Sequence, residues 1–277
     1  MSGNSKDGEP AERRHALRTL PEVGTQAAID YFVAGSKALS MFHFIIDTAM
    51  RVDHVAHIAK VALDGPVSPR NPDLDITPEQ LLKMDPGPKI KLLRRMRQEL
   101  LELFLASAVD NFETYIVSIV REILQKKPEI LRTREQNLTI EYVLQFPSIQ
   151  ELTNEIIQEK INSLSYEGFS ALQTWCRKKH IPRAVREDIR ETVVELIATR
   201  NTIVHNRGRI DDKYLRTVKN SKIRKGEKCE IAVDEYLEAE PMLGSIVIAT
   251  DHASVTKYGL EAFPVPHYGQ AFVDPLK

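Results

Sequence analysis

The sequence predicts an all-α protein, a helical bundle with an added N-terminal helix and one small extended or hairpin excursion late in the chain. Three observations carry this expectation. Val109, Phe112, Ile116, Ile119 and Ile123 recur at steps of three and four, which places one apolar stripe on one side of a helix. Residues 89–127 contain neither Gly nor Pro, so nothing interrupts that helix from within. Strand-like alternation is confined to Cys229, Ile231 and Val233, enough for a short extended segment and no more.

In chain order, residues 1–35 read as a polar, irregular N-terminal tail, and a helical period runs over residues 36–63. The stretch DGPVSPRNPDLDITPEQ carries four prolines; Thr77 before Pro78 suits an N-cap followed by Pro at the first helical position, which predicts a short helix over residues 78–83. Residues 36–87 thus form an N-terminal helix with a Pro-rich loop. Asp85-Pro-Gly-Pro ends that turn, and residues 89–127 should form the longest helix. Further helices are expected over 148–162, 166–179 and 183–206, the last stopping at Gly208. Residues 219–233 are basic and include Gly226, the place for the excursion. Asp234 suits the N-cap of a final helix reaching Tyr258 despite Pro241, before a loop-like tail over 261–277. Residues 88–260 are the main helical domain.

Composition narrows the function classes. At 277 residues, 42% apolar and 28% charged, the chain suits one elaborated globular domain. The first twenty residues lack the apolar core of a signal peptide, and residues 41–50, interrupted by His43 and Asp47, are too short to cross roughly 30 Å of hydrocarbon; no membrane partner and a cytoplasmic location are expected. Cys176 and Cys229 form no Cys-x-x-Cys motif, in keeping with a reducing compartment. Net charge is −1, yet between Arg200 and Lys228 ten Lys or Arg residues face Asp211, Asp212 and Glu227. That local excess of seven positive charges suits phosphates, and it also suits a solvated loop.

The helix ending near residue 206 carries the chemistry. At roughly 100° per residue, Ile189, Val193, Leu196, Ile197 and Val204 share a stripe expected to be buried, and Arg200 falls about 20° from Val193, inside it. A guanidinium there needs a carboxylate, a phosphate-bearing cleft or a second subunit that builds a polar pocket. Asn201 and His205, four positions apart, stack at the stripe's edge, where an amide oxygen can orient an imidazole. Histidine, with an ordinary pKa of about 6.5, can move protons near neutral pH. The same residues also suit a plain helix end, since Arg and His in a last turn complement the dipole and Asn206-Arg207-Gly208 forms a stop signal.

The string Arg200-Asn201-Thr202-Ile203-Val204-His205-Asn206 resembles the R-x4-6-H motif of HEPN domains, with a polar residue after Arg and Asn after His. The order of elements is similar to that of RiboL-PSP and related HEPN families: a helix of the type FLASAVDNFETYIVSIVREIL, the motif helix, NRGRIDDKYL, then a final helix. The resemblance covers roughly residues 90–260 and leaves the first helix and both tails outside it. It implies a homodimer in which two motif helices meet across a two-fold axis, and a metal-independent endoribonuclease using the RNA 2′-hydroxyl as nucleophile. Arg200 would stabilise phosphoryl charge, His205 would handle protons and Asn201 would orient, with no cofactor. Arg207, Arg209 and Lys213 would hold RNA. A toxin or defence role is implied, with an antitoxin or neighbouring defence protein as a further partner, and many family members act as non-catalytic binders of RNA or protein.

Other candidates are weaker. Glu113, with Asp110, interrupts the apolar half of the long helix and is a candidate supporting carboxylate for Arg200 or His205. His43, Asp47, His54 and His57 share one face of the first helix, opposite Phe42, Ile45, Ala49, Val52 and Val55; this suits a solvated polar face better than a metal site, so no metal is assigned. Trp175, with no aromatic and basic residues interleaved around it, suits core better than base stacking.

Overall fold

A carboxylate from another helix, rather than a local signal alone, sets where the first helix begins. In the computed structural model, which describes residues 20–64, 87–132, 138–183, 185, 187–219 and 221–266, helix α1 spans Gln26–Asp64. Thr25 Oγ1 accepts from Ala28 N at 3.3 Å, and Asp251 holds Thr25 in turn, through its hydroxyl at 2.6 Å and its N–H at 3.1 Å. Glu122 Oε1 accepts from Ala27 N at 2.9 Å. Two N–H groups that a helix start leaves free are thereby satisfied. The helix expected from residue 36 therefore starts at Gln26, and Ala27, Ala28, Tyr31 and Phe32 belong to the core rather than to a tail.

At 39 residues, roughly 58 Å long, α1 is also the longest described helix, contrary to expectation. The stretch expected to hold that place is divided at Met96 into α2, Pro88–Arg95, and α3, Arg97–Lys126. α2 exists because Asp53 of α1 reaches its first turn, accepting from Lys89 N at 3.0 Å and Ile90 N at 2.9 Å. A Cβ on Gly87 would clash with Cβ and Cγ of Asp53, so glycine allows this approach. The expected short helix over 78–83 and the Pro-rich loop before it lie outside the described residues.

α3 is the centre of the bundle, touched by α1, by α5 (Ile149–Glu167), by α7 (Glu187–Asn206) and by α9 (Val233–Tyr258). Between them lie short helix α4 (Ile140–Val143), α6 (Phe169–Lys178) and α8 (Asp212–Thr217), which complete nine helices among the described residues. The expected stripe of Val109, Phe112, Ile116, Ile119 and Ile123 is buried throughout. Among the described residues α3 is also the helix long and apolar enough to cross a membrane, and here it is core. The ends of the described chain meet in a two-stranded antiparallel ladder, β1 (Val23–Gly24) with β2 (Phe263–Pro264), paired Val23 to Pro264 and Gly24 to Phe263. Cys176 and Cys229 are buried free thiols, and burial pushes Cys176 up to about 12.

The late excursion is present. Arg209 and Lys228 form an antiparallel bridge, backed by Ile210 N to Glu227 O at 3.0 Å and Cys229 N to Gly208 O at 2.8 Å. Inside it sits α8, which the sequence did not announce: Asp211 caps it by accepting from Tyr214 N at 2.8 Å. Tyr214, Ile210, Cys229 and Ala198 then form a second small core under the end of α7. Val204, expected in the buried stripe, is 51% exposed, whereas Thr199 and Thr202 are buried; Ala198 faces the small core, while Ile203 in the last turn packs on the central one. The N-cap of α9 is Ala232, not Asp234, with Glu235 Oε2 accepting from Ala232 N at 2.9 Å.

Candidate active site

α3 turns its apolar stripe inward, and the opposite edge of the same helix carries Asp110, Glu113, Thr114, Ser118 and Arg121 at helical spacing. These side chains form one wall of a cleft of about 720 Å³. The facing wall is α7 with Arg200 and Asn201, and the rim is Tyr166, Gly168 and Lys213. Arg200 is therefore at a cleft wall, with a side chain 23% exposed, and its charge is met within its own protomer. Its Nε pairs with Asp110, its Nη1 lies 3.8 Å from Glu113, and Nη1 donates to Asn201 Oδ1 at 2.8 Å. Of the three environments that could accept the cation, the structure supplies carboxylates, and Glu113 is one of them as expected. Burial raises the Glu113 pKa above its ordinary value; Arg200 opposes that rise and Asp110 adds to it.

His205 is exposed one turn further on. It lines an adjoining cleft of about 420 Å³ with Asn201, Thr202, Asp211, Lys213, Tyr214 and Thr217. The two clefts share Tyr166, Gly168, Phe169, Ile197, Asn201 and Lys213. Arg200 and His205 thus face neighbouring hollows with a common wall. Asn201 sits between them, but its oxygen accepts from the guanidinium, not from the imidazole; among the described residues His205 has no recorded hydrogen bond or ion pair. The expected Asn201 to His205 pairing is replaced because a charged donor is the stronger partner for an amide oxygen.

The helix end that places His205 is built as a stop. Arg207 and Gly208 both take positive φ, 52° and 74°, and Gly208 N donates to Thr202 O at 3.0 Å, the six-to-one bond of a Schellman turn. Asn206 Nδ2 donates to Arg209 O. The helix-stop role of these residues is thus real, and it coexists with the cleft.

The three expected RNA contacts separate. Lys213 lines both clefts, whereas Arg207 and Arg209 line neither; Arg209 donates to Gly226 O at 3.1 Å inside the excursion. Part of the basic excess is spent internally, with Lys225 on Asp212 at 2.6 Å and Lys228 on Glu102 at 3.1 Å. Arg121 was missed from the sequence, although it continues the three-and-four spacing of Asp110, Glu113, Val117 and Ser118. Its Nε is buried with no hydrogen-bond partner among the described residues. Tyr166 was missed for lack of any local signal.

On α1, Asp47 pairs with Arg51 at 2.6 Å, and no group of three or more His, Cys, Asp or Glu suited to a metal occurs among the described residues. Val52 and Val55, expected on the apolar side, are exposed. Trp175 packs against the core, with Lys160 Nζ 5.6 Å from its ring centroid. Compared with protein-family models, curated proteins and solved structures, the chain matches none.

Proposed function

We propose that the chain is a metal-independent endoribonuclease of HEPN type, acting as a homodimer and used as a toxin or defence effector. The observation that carries this reading is the joined pair of clefts: Arg200 lines one, His205 lines the other, and Asn201 and Lys213 line both. In the larger cleft Arg200, Lys213 and Arg121 stand against Asp110 and Glu113, and the smaller cleft adds Glu167 and Asp211, so a phosphate would be held by directed guanidinium and ammonium donors rather than by net charge. In the proposed reaction the RNA 2′-oxygen forms a bond to the adjacent phosphorus as its proton passes to His205. The bond from phosphorus to the 5′-oxygen breaks, and that oxygen takes a proton from the same residue of the second copy, leaving a cyclic phosphate and a 5′-hydroxyl. Arg200 stabilises charge on the phosphoryl oxygens with a planar pair of donors. Glu113 and Asp110 hold that guanidinium against the cleft wall until phosphate competes for it. An antitoxin or neighbouring defence protein would act by covering this face.

A second reading has a specific observation behind it. Arg200 already satisfies its charge on two carboxylates of its own protomer, and Asn201 is committed to Arg200, as in a structural ion-pair network. The chain would then be a non-catalytic helical dimer that binds RNA or a partner protein through its basic segment.

Purified protein incubated with tRNA or total RNA in EDTA decides between them. The nuclease reading expects cleavage by wild type and loss of at least about a hundredfold in rate with His205→Ala or Arg200→Ala. Intact RNA with all three proteins would overturn the nuclease reading and support the binding one.

A further inference from the structure

Tyr166 is 95% exposed, the most exposed large side chain with apolar character among the described residues. A single exposed apolar side chain is ordinary on a protein surface, so exposure alone assigns nothing. Its setting does. Tyr166 stands in the last turn of α5 and lines both clefts, with Asn201 and Lys213 beside it in each. Among the described residues its ring meets no other ring or cation and its hydroxyl has no hydrogen-bond partner. Gly168, two residues later, takes φ 86°, and a Cβ there would meet nothing within 4 Å. The chain between α5 and α6 therefore leaves open space beside the ring, at the mouth of a cleft whose volume falls in the roughly 300–1,000 Å³ range of ligand sites.

We infer that Tyr166 is a stacking platform for an unpaired nucleobase of the RNA, with Lys213 and Arg121 holding the phosphates that flank it. A phenol ring offers a π-face that any base can cover, worth a few kcal/mol per base. Two cations lining the same cleft as such a ring suit the alternation of base and phosphate along a single strand. A duplex keeps its bases stacked on each other and has no free face to give, so the substrate class is single-stranded RNA or a loop. The inference deepens the ribonuclease reading and rests on its claim that RNA occupies these clefts. Tyr166 is assigned a positioning role, since it is placed to hold the strand rather than to touch the reacting atoms.

The test uses the full chain and a fluorescent, mixed-sequence 2′-O-methyl oligoribonucleotide, which has no free 2′-hydroxyl and so reports binding whatever the cleavage activity. Tyr166→Ala should weaken binding by about tenfold or more, with an unchanged circular dichroism spectrum because the ring packs against nothing. Tyr166→Phe should keep wild-type affinity, and an oligonucleotide abasic along its length should bind wild type and Tyr166→Ala alike. Lys213→Ala should lower the slope of log affinity against log salt by about 0.7, one phosphate's worth for a single strand.

Equal affinity of wild type and Tyr166→Ala overturns the platform. So does a polyglutamate chain that binds with the same dependence on Tyr166, which would assign the surface to an acidic protein. The two claims fail separately: Tyr166-dependent binding with no cleavage leaves the platform and removes the nuclease, whereas cleavage that ignores Tyr166 does the reverse.

Discussion

At the scale of single residues, one buried and two half-buried carboxylates do most of the positioning, and they set the pH response. Glu113 holds Arg200, while Glu122 and Asp251 hold the start of α1. Burial is the leading cause that raises the pKa of all three above the ordinary carboxylate value. In the folded chain each takes up a proton at a higher pH than in the unfolded chain. Stability is therefore greatest below that window and is lost as pH rises through it. The urea midpoint should increase when pH is lowered from about 7 to about 5. Glu122→Gln, whose amide oxygen can still accept from Ala27 N, should show a smaller increase. An identical pH profile for the two proteins would mean that Glu122 titrates alike in both states.

Among elements, α3 carries both the core and the site, on opposite edges. Ile123 is 0% exposed and Leu103, on the same helix, is 62% exposed. Ile123→Ala should cost about 2–5 kcal/mol of unfolding free energy, whereas Leu103→Ala should stay within about 0.5 kcal/mol; denaturant titration measures both. α7 shows the same division within twenty residues. Val193, Ile197 and Ile203 pack on the central core and Ala198 on the small core with α8, while Val204 is exposed and His205 faces a cleft.

For the whole molecule, the bundle is unevenly anchored. The start of α1 is bound to α3 and α9 by Asn111 to Tyr31 O at 2.8 Å and by the Glu122 and Asp251 caps. Its further half lies against α2, which buries none of its own side chains, and exposes Met50, Val52 and Val55. Local stability follows buried contacts. Amides of residues 50–57 should therefore exchange with solvent at least about tenfold faster than those of residues 27–34, read by hydrogen-exchange mass spectrometry. Equal protection would show that this half is covered in solution.

Much of this was legible in the chain itself. The all-α class, the buried stripe of α3, the helices around residues 148–206, the excursion and the final helix follow from local periodicity and stop signals, which depend on a few neighbouring residues. Arg200 was identifiable as a cation on an apolar stripe; Asp110 and Glu113 were candidate partners for it or for His205, and the packing of α3 on α7 assigns them to Arg200. What required the tertiary structure was every feature made by residues far apart in sequence. Asp251 and Glu122 cap a helix that the local pattern starts ten residues too late, Asp53 splits off α2, and Tyr214 shares a small core with Ala198 under α7. The clefts themselves, and the meeting of Tyr166, Arg121 and Lys213 around Arg200, arise from packing, because a cleft is a relation between surfaces and no single helix encodes it.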